Sequence, residues 1–360
     1  MAVSYKTSSG VALDFSDNLC RWDGHASGHY EVWFLTLNDR ASQRGFWFRY
    51  ALESPDATTG GRAPRAALWA AAFDRKAPRH NFGLKGEYSI DRFAFRTGEE
   101  FRLELGDGEF SPRRAVGAVR DKRHSIEWDL TFTPCDKSYR HITRKLNMLI
   151  RPSSYVCSPN LDTKFSGTII IDDRKLTLDG EPGCQSHLWG RKHADEWVWL
   201  HSNAFEGHAG TVFEGLAARA RRVGRTMPPV QSLFLRHRGE EHHFMRLRLA
   251  EQWKHKLGVG YWNFTAMNTR LLIKGSAQCR LRDMLQAAYI DPDGEPLYCV
   301  NSEVANLKIR IFRRVKGVHY RHVETINSRA TAHLEHASRI LDPDVKMAFI
   351  TNEAAEQAIE

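Results

Sequence analysis

The sequence predicts an all-β protein built from sandwich- or barrel-type domains. Three observations carry that expectation. Apolar residues recur with period two: in SIEWDLTFT, Ile126, Trp128, Leu130 and Phe132 fall on one face, and Glu127, Asp129 and Thr131 on the other. Helical periodicity is confined to SRATAHLEHASRIL, which reads equally as a closing strand, and the tail NEAAEQAIE. Ten tryptophans and an aromatic fraction of 11% suit pleated surfaces. At 360 residues the chain exceeds one ordinary core, which points to two domains.

The elements follow in order. HYEVWFLTL (29–37) and GFWFRYAL (45–52) read as strands joined by a turn through NDRASQR. FRLEL, GDG and EF make a tight hairpin near residues 106–108. Glu31 and Arg49, inside aromatic strands, are expected to form a buried structural pair. RPSSYVCSPNLDT (151–163) is the softest segment, with two prolines and several serines. A new run of strands starts at GTIIID, so the expected domains are 1–170 and 171–360. Later strands are expected at 167–171, 197–205, 211–219, 243–250, 269–274, 277–282 and 304–313.

The formal charge of +9 allows an acidic partner, but the basic residues are interleaved with strand residues, as in KIRIFRR. No zinc knuckle, helix-turn-helix or RNA-binding aromatic signature is present, and no nucleic-acid partner is expected. Six cysteines stand far apart with no CxxC pair, which suits a reduced, cytoplasmic protein. The longest apolar run, AALWAAAF, is too short for a bilayer, so no stable membrane insertion is expected. GxGxxG, Walker A and GxSxG motifs are all missing, which leaves nucleotide folds and a serine nucleophile elbow unsupported. Nothing in the sequence sets an oligomeric state.

Chemistry gathers in SHLWGRKHADEWVWLHSNAF, residues 186–205. On a strand from Glu196 to Phe205, Val198, Leu200, Ser202 and Ala204 share one face. Trp197, Trp199, His201, Asn203 and Phe205 share the other, and so large an aromatic face needs a cover of protein or ligand. An aromatic wall with a few polar groups describes a small-molecule pocket; the alternative is a core with a satisfied histidine. His187, Trp189, Arg191 and His193 repeat the theme upstream. His187, His193 and His201 could be metal ligands, but no HExxH or HxH spacing fixes two of them together, and no metal is expected. Glu214, in the apolar run TVFEGLAAR, is a candidate acid because burial keeps a carboxyl protonated; pairing with an arginine such as Arg191 is the structural alternative. Asn301 and Glu303 in YCVNSEVAN form a second polar island and candidate ligand contacts.

HYEVWFLTLNDRASQRGFWFRYAL and GCQSHLWGRKHADEWVWLHSNAF resemble the lipocalin-like double-barrel proteins. That group comprises bacterial carotenoid hydratases, tocopherol-cyclase-like proteins and fungal Diels–Alderases of decalin biosynthesis. The resemblance spans nearly the whole chain. It implies two stacked antiparallel lipocalin-like β-barrels with a hydrophobic pocket at their junction. It also implies isoprenoid- or polyketide-like substrates, and no metal or nucleotide cofactor. By the hydratase pattern the working residues would be His187, Trp189, Trp199, His201 and Glu214. An aspartate that the hydratases use has no clear counterpart in this sequence, with Glu214 the candidate substitute.

These readings converge on an enzyme that works without a cofactor on an apolar small molecule, by acid-assisted hydration, cyclisation or isomerisation. His201, Glu214 and His187 are the expected catalytic residues. Trp189, Arg191, Trp197, Trp199, Asn203, Asn301 and Glu303 are the expected ligand contacts. The competing reading is a carrier with the same pocket and no turnover. Catalysis requires a titratable group that reaches the cavity; carriage does not.

Overall fold

The computed structural model describes residues 4–6, 12–143, 147–148, 152–219, 221–222, 225–226, 230–247, 257–317 and 319–349. A small hairpin, β1 (Ser4–Lys6) and β2 (Ala12–Asp14), comes first. The first half then runs through β3 (His29–Asp39), β4 (Arg44–Ser54), β5 (Arg65–Asp74), β6 (Phe82–Ser89) and β7 (Phe93–Arg96). It continues through β8 (Arg102–Leu105), β9 (Gly108–Phe110), β10 (Arg114–Arg120), β11 (Ser125–Phe132), β12 (Ser154–Ile171) and β13 (Arg174–Gly190). The second half holds β14 (Glu196–Ser202), β15 (Val212–Arg219), the pair β16 (Arg221–Arg222) and β17 (Arg225–Thr226), β18 (Val230–His237) and β19 (Glu240–Leu247). It closes with β20 (Leu257–Gly258), β21 (Tyr261–Met267), β22 (Leu271–Gln278), β23 (Leu285–Ile290), β24 (Pro296–Lys316) and β25 (His319–Ser338).

Two large antiparallel sheets result. The first has eleven strands in the order β6-β5-β4-β3-β13-β12-β11-β10-β9-β8-β7. It curls into a near-closed barrel, in which β10 comes against β5 and β6. Its interior is solid: Trp33, Phe46, Phe48, Tyr50, Phe110 and Phe165 are all fully buried. Trp128 Nε1–H donates to Tyr50 Oη at 2.8 Å, and Tyr50 donates on to Val116 O, so the interior polar atoms are satisfied. The second sheet runs β19-β18-β15-β14-β25-β24-β22-β21-β20, with β23 beside β24. It wraps a core of Val198, Leu200, Phe213, Leu233, Trp262 and Leu334. The expected all-β, two-barrel architecture is therefore present, and both barrel interiors are packed with side chains.

The two barrels meet along their outer faces. Strand alternation puts Trp33, Leu35 and Leu37 of β3 inside the first barrel, and Phe34, Thr36 and Asn38 outside. On β14, Val198 and Leu200 point into the second barrel, while Trp197 and Trp199 pack against Trp47, Trp69 and Phe73 of the first. The approach is close. A Cβ on Gly45 would lie 2.4 Å from Glu303 Cβ, so β4 can touch β24 only through a glycine.

Several expectations shift. The sequence places the division near residue 170; the change of sheet comes between Gly190 and Glu196, because β13 pairs with both β12 and β3. The soft segment 151–163 is mostly strand. Pro159 is accommodated between Cys157 and Asn160, where the register slips, so its missing N–H breaks no ladder bond. SRATAHLEHASRIL is largely strand β25, in which Ala332 and Leu334 enter the second core. The expected strand 277–282 is instead the end of β22, followed by a 3-10 turn at Leu281–Asp283. Residues 248–250 and the tail 352–360 lie outside the described residues. Glu31 and Arg49 do not pair: Glu31 points into the first barrel, while Arg49 points outward.

Candidate functional site

The space between the barrels is not fully filled. A cavity of about 120 Å³ lies between them. Val32, Phe34 and Trp47 line it from the first barrel, and Trp197, Trp199 and Leu216 from the second. The aromatic face of β14 is thus covered chiefly by protein, and the uncovered remainder is this pocket. Its apolar, aromatic wall with few polar groups is the kind of lining that suits a small-molecule site.

Four titratable side chains reach the pocket: Arg49, His193, Tyr289 and Glu335. Arg49 is buried with its guanidinium 4.2 Å from the Tyr289 ring centre and 5.1 Å from that of Trp69, and its Nε has no hydrogen-bond partner. A cation stacked between rings in this way is attracted to their negative faces. His193 Nδ1 donates to Asp291 Oδ1 at 2.6 Å. Its ring stacks on Tyr30 at 4.0 Å and on Trp197 at 5.6 Å. Among the described residues, Nε2 of His193 has no hydrogen-bond partner. Asp291 is fully buried, also accepts the His193 backbone N–H, and is gripped by Arg339 Nη2 at 2.6 Å. Burial works against its ionisation, but these hydrogen bonds hold Asp291 at a pKa of about 2. Burial pushes His193 below its ordinary value despite Asp291, so the ring is neutral at pH 7 with an open lone pair on Nε2. Across the pocket, Glu335 Oε1 accepts Trp197 Nε1–H at 2.6 Å. Burial pushes its carboxyl above the usual range, with the Trp197 bond and Arg49 opposing.

The sequence-predicted residues divide. Trp197 and Trp199 line the pocket. His201 and Glu214, paired in register on β14 and β15, do not line it. His201 Nε2 donates to Leu161 O at 2.9 Å. Glu214 Oε1 accepts from Trp199 Nε1 at 2.8 Å and contacts His141 Nε2 at 3.0 Å; its other oxygen is unpartnered. His187 is inside the first barrel, between Asp17 O at 2.6 Å and Glu31 Oε1 at 2.9 Å. Trp189 is half-buried against Tyr155 and Arg21, away from the pocket. Arg191 is exposed and does not meet Glu214. β14 ends at Ser202, so Asn203 turns to donate to Asp162 Oδ1 and Gly183 O, and Phe205 enters the second core instead of sharing the tryptophan face. Among the described residues, the buried Asn301 has no hydrogen bond to either amide atom, and the buried Glu303 has none to Oε2, which stands 3.8 Å from His333 Nε2. Burial, and then the neighbouring Glu335, push the Glu303 carboxyl well above its ordinary value. Neither lines the pocket. His187, His193 and His201 each have separate partners and do not converge.

Sequence reasoning missed Glu335, Asp291 and Tyr289, placed Arg49 in a structural pair, and took His193 as part of the upstream aromatic theme and as a possible metal ligand, with no catalytic role. Alternation in HLEHAS puts Glu335 on the face opposite Leu334 and could have flagged it. The His193–Asp291 pairing has no sequence signal.

A profile of the tocopherol cyclase-like family matches residues 109–337. Uncharacterised proteins from two strains of Mycobacterium tuberculosis are 25% identical over 314 residues, covering 84% of this chain and 88% of theirs. Among solved structures, an AttH-like protein of Nitrosomonas europaea superposes with a TM-score of 0.51 at 11% identity, covering 94% of this chain and 99% of its own. Kievitone hydratase of Nectria haematococca superposes with a TM-score of 0.49 at 8% identity, covering 90% and 91%. The AttH-like structure shares the fold, and the profile spans well over half of the sequence. The chain belongs to the tocopherol cyclase-like family.

Proposed function

We propose that this protein is an enzyme that isomerises, cyclises or hydrates an apolar, isoprenoid- or polyketide-like molecule held between the two barrels. The observation that carries the reading is the placement of an Asp291-backed His193 with an open Nε2 in the same apolar pocket as the Glu335 carboxyl. The family description, tocopherol cyclase-like, supports an apolar substrate of this class.

The chemistry balances with these groups alone. Glu335 gives its proton to an alkene carbon, and the other alkene carbon becomes cationic. The faces of Trp197 and Trp199 stabilise that cation, by about 1–2 kcal/mol when water is excluded. A hydroxyl or a second alkene of the substrate, or one water molecule, forms the new bond at the cation. His193 Nε2 takes the proton released, and Asp291 stabilises the imidazolium. The proton returns to Glu335 before the next turnover. The product has the mass of the substrate, or of the substrate plus one water. Arg49 stacks beside the rings and can anchor a polar or anionic end of the molecule.

The test is incubation of a lipid extract from the source cells with purified protein, followed by mass spectrometry. Conversion of one compound to an isomer or a monohydrate, lost in Glu335→Gln, supports the reading. A compound that binds tightly and returns unchanged favours a carrier.

A further inference from the structure

Away from the pocket's polar groups, Cys184, His201 and His333 converge, all three with no solvent exposure. Cys184 comes from β13 of the first barrel; His201 and His333 are register partners on β14 and β25 of the second. Their Sγ and ring nitrogen atoms lie within 4.8 Å of one another. The two Nδ1 atoms are 3.1 Å apart.

Hydrogen bonding fixes both tautomers. His201 Nε2 faces the carbonyl of Leu161 at 2.9 Å, so that nitrogen carries its hydrogen. His333 Nε2 faces Asn38 Oδ1 at 2.9 Å. The Asn38 amide is oriented by its Nδ2, which donates to Glu303 O at 2.6 Å, so His333 Nε2 must also donate. Each neutral ring then has a lone pair on Nδ1, and these two lone pairs point at one another. The Thr36 hydroxyl, 2.7 Å from His333 Nδ1 and 3.2 Å from Cys184 Sγ, sits at the same focus. The Thr36 hydroxyl can donate to His333 Nδ1, but the lone pair on His201 Nδ1 is then left facing it unmatched, and a cation at this focus would match both rings. A shared proton would leave a buried imidazolium with Glu303 Oε2 3.8 Å from His333 Nε2, outside hydrogen-bond distance.

We propose that Cys184, His201 and His333 bind one d10 cation, Zn²⁺ or Cu⁺, that clamps the two barrels together. Two nitrogens on a tetrahedral zinc stand roughly 3.3 Å apart, close to the spacing seen here. A thiolate with two imidazoles is the donor set such soft or borderline cations select. Leu161 O and Asn38 Oδ1 supply the outer acceptors that orient metal-bound imidazoles through their far N–H. The ligands come from both barrels, so the ion acts as a staple; it is not part of the acid–base pair in the pocket. The site replaces the histidine triple that the sequence suggested, sharing only His201.

The test uses the full-length protein, produced in medium with added zinc and, separately, added copper. Elemental analysis of the purified, folded protein is expected to give about one equivalent of one of these metals, which also distinguishes them. Cys184→Ser and His333→Ala are expected to lose it. Because those variants can fail to fold, the wild-type protein is also stripped with chelator and titrated with Co²⁺. A thiolate-to-cobalt charge-transfer band, saturating at one equivalent, supports the site. Folded wild-type protein with under about a tenth of an equivalent of metal, and no such band, overturns it.

Discussion

His193 Nδ1 donates to Asp291 Oδ1 at 2.6 Å, and this one bond determines which face of the ring meets the pocket. With Nδ1 committed, Nε2 is the ring nitrogen left for chemistry, and it has no hydrogen-bond partner among the described residues. Asp291→Ala removes the acceptor and leaves Arg339 without its fully buried carboxylate. Breaking a buried pair of this kind costs about 3–5 kcal/mol. We expect a lower melting temperature and at least a 100-fold loss of turnover. Full activity in Asp291→Ala would rule out the dyad.

The pH dependence follows from the same pair. His193 must be neutral to accept a proton, and burial holds its pKa below the ordinary value of 6.5. Turnover is therefore expected to hold from neutral pH past 6.5 and to fall only at more acid pH. Asp291 has a folded pKa of about 2 against an ordinary 3.8. A depressed carboxylate stabilises the fold above its unfolded value and ceases to do so as pH drops through the folded one. Its contribution, about 2 kcal/mol, should disappear between pH 5 and 2 in Asp291-intact protein. Acid unfolding compared with Asp291→Asn checks this; identical midpoints would contradict it.

His187 belongs to the core and not to the site. It bridges Asp17 O and Glu31 Oε1 with no exposure and stacks on Trp33 at 4.7 Å. His187→Ala opens a void and weakens the set of hydrogen bonds that holds the buried Glu31 carboxylate. It should cost about 3–5 kcal/mol in denaturant unfolding while ligand affinity of the folded fraction stays unchanged. A loss of affinity without a loss of stability would return His187 to the site.

Arg49 is expected to act on ligand and not on fold alone. Arg49→Met keeps the aliphatic stem against Tyr289 and removes the charge. Binding of an anionic apolar fluorophore, anilinonaphthalene sulfonate, should weaken about tenfold, with a smaller change for an uncharged analogue. Equal effects on both probes would show that Arg49 is only packing.

The fold was legible in the sequence because alternation is a local property. The assignment of Val198 and Leu200 to one face and Trp197, Trp199 and His201 to the other survives in the structure. The same reasoning failed at Asn203 and Phe205, because β14 stops at Ser202 and parity does not extend past a strand end. The pocket was harder. Its polar groups come from Arg49, His193 and Glu335, brought together by one barrel docking on another. Period two says which residues share a face but not which faces meet. Glu335 was further hidden by a segment whose alanines read equally as helix. The meeting of Cys184 and His333 with His201 escaped for the same reason, since it depends on β13 of one barrel docking on β14 and β25 of the other.

Glu335→Gln tests the central claim most directly. The amide is isosteric and its oxygen can still accept the Trp197 N–H, so folding and binding should be retained. The proton is gone, and general acid catalysis contributes about 10²–10⁴-fold. The measurement is mass spectrometry of a cell lipid extract incubated with wild-type protein and with Glu335→Gln. An isomer or a monohydrate of one apolar compound is expected with the wild type, and the same compound bound but unchanged with the variant. Equal conversion by both proteins, or equal binding with no conversion by either, would contradict it.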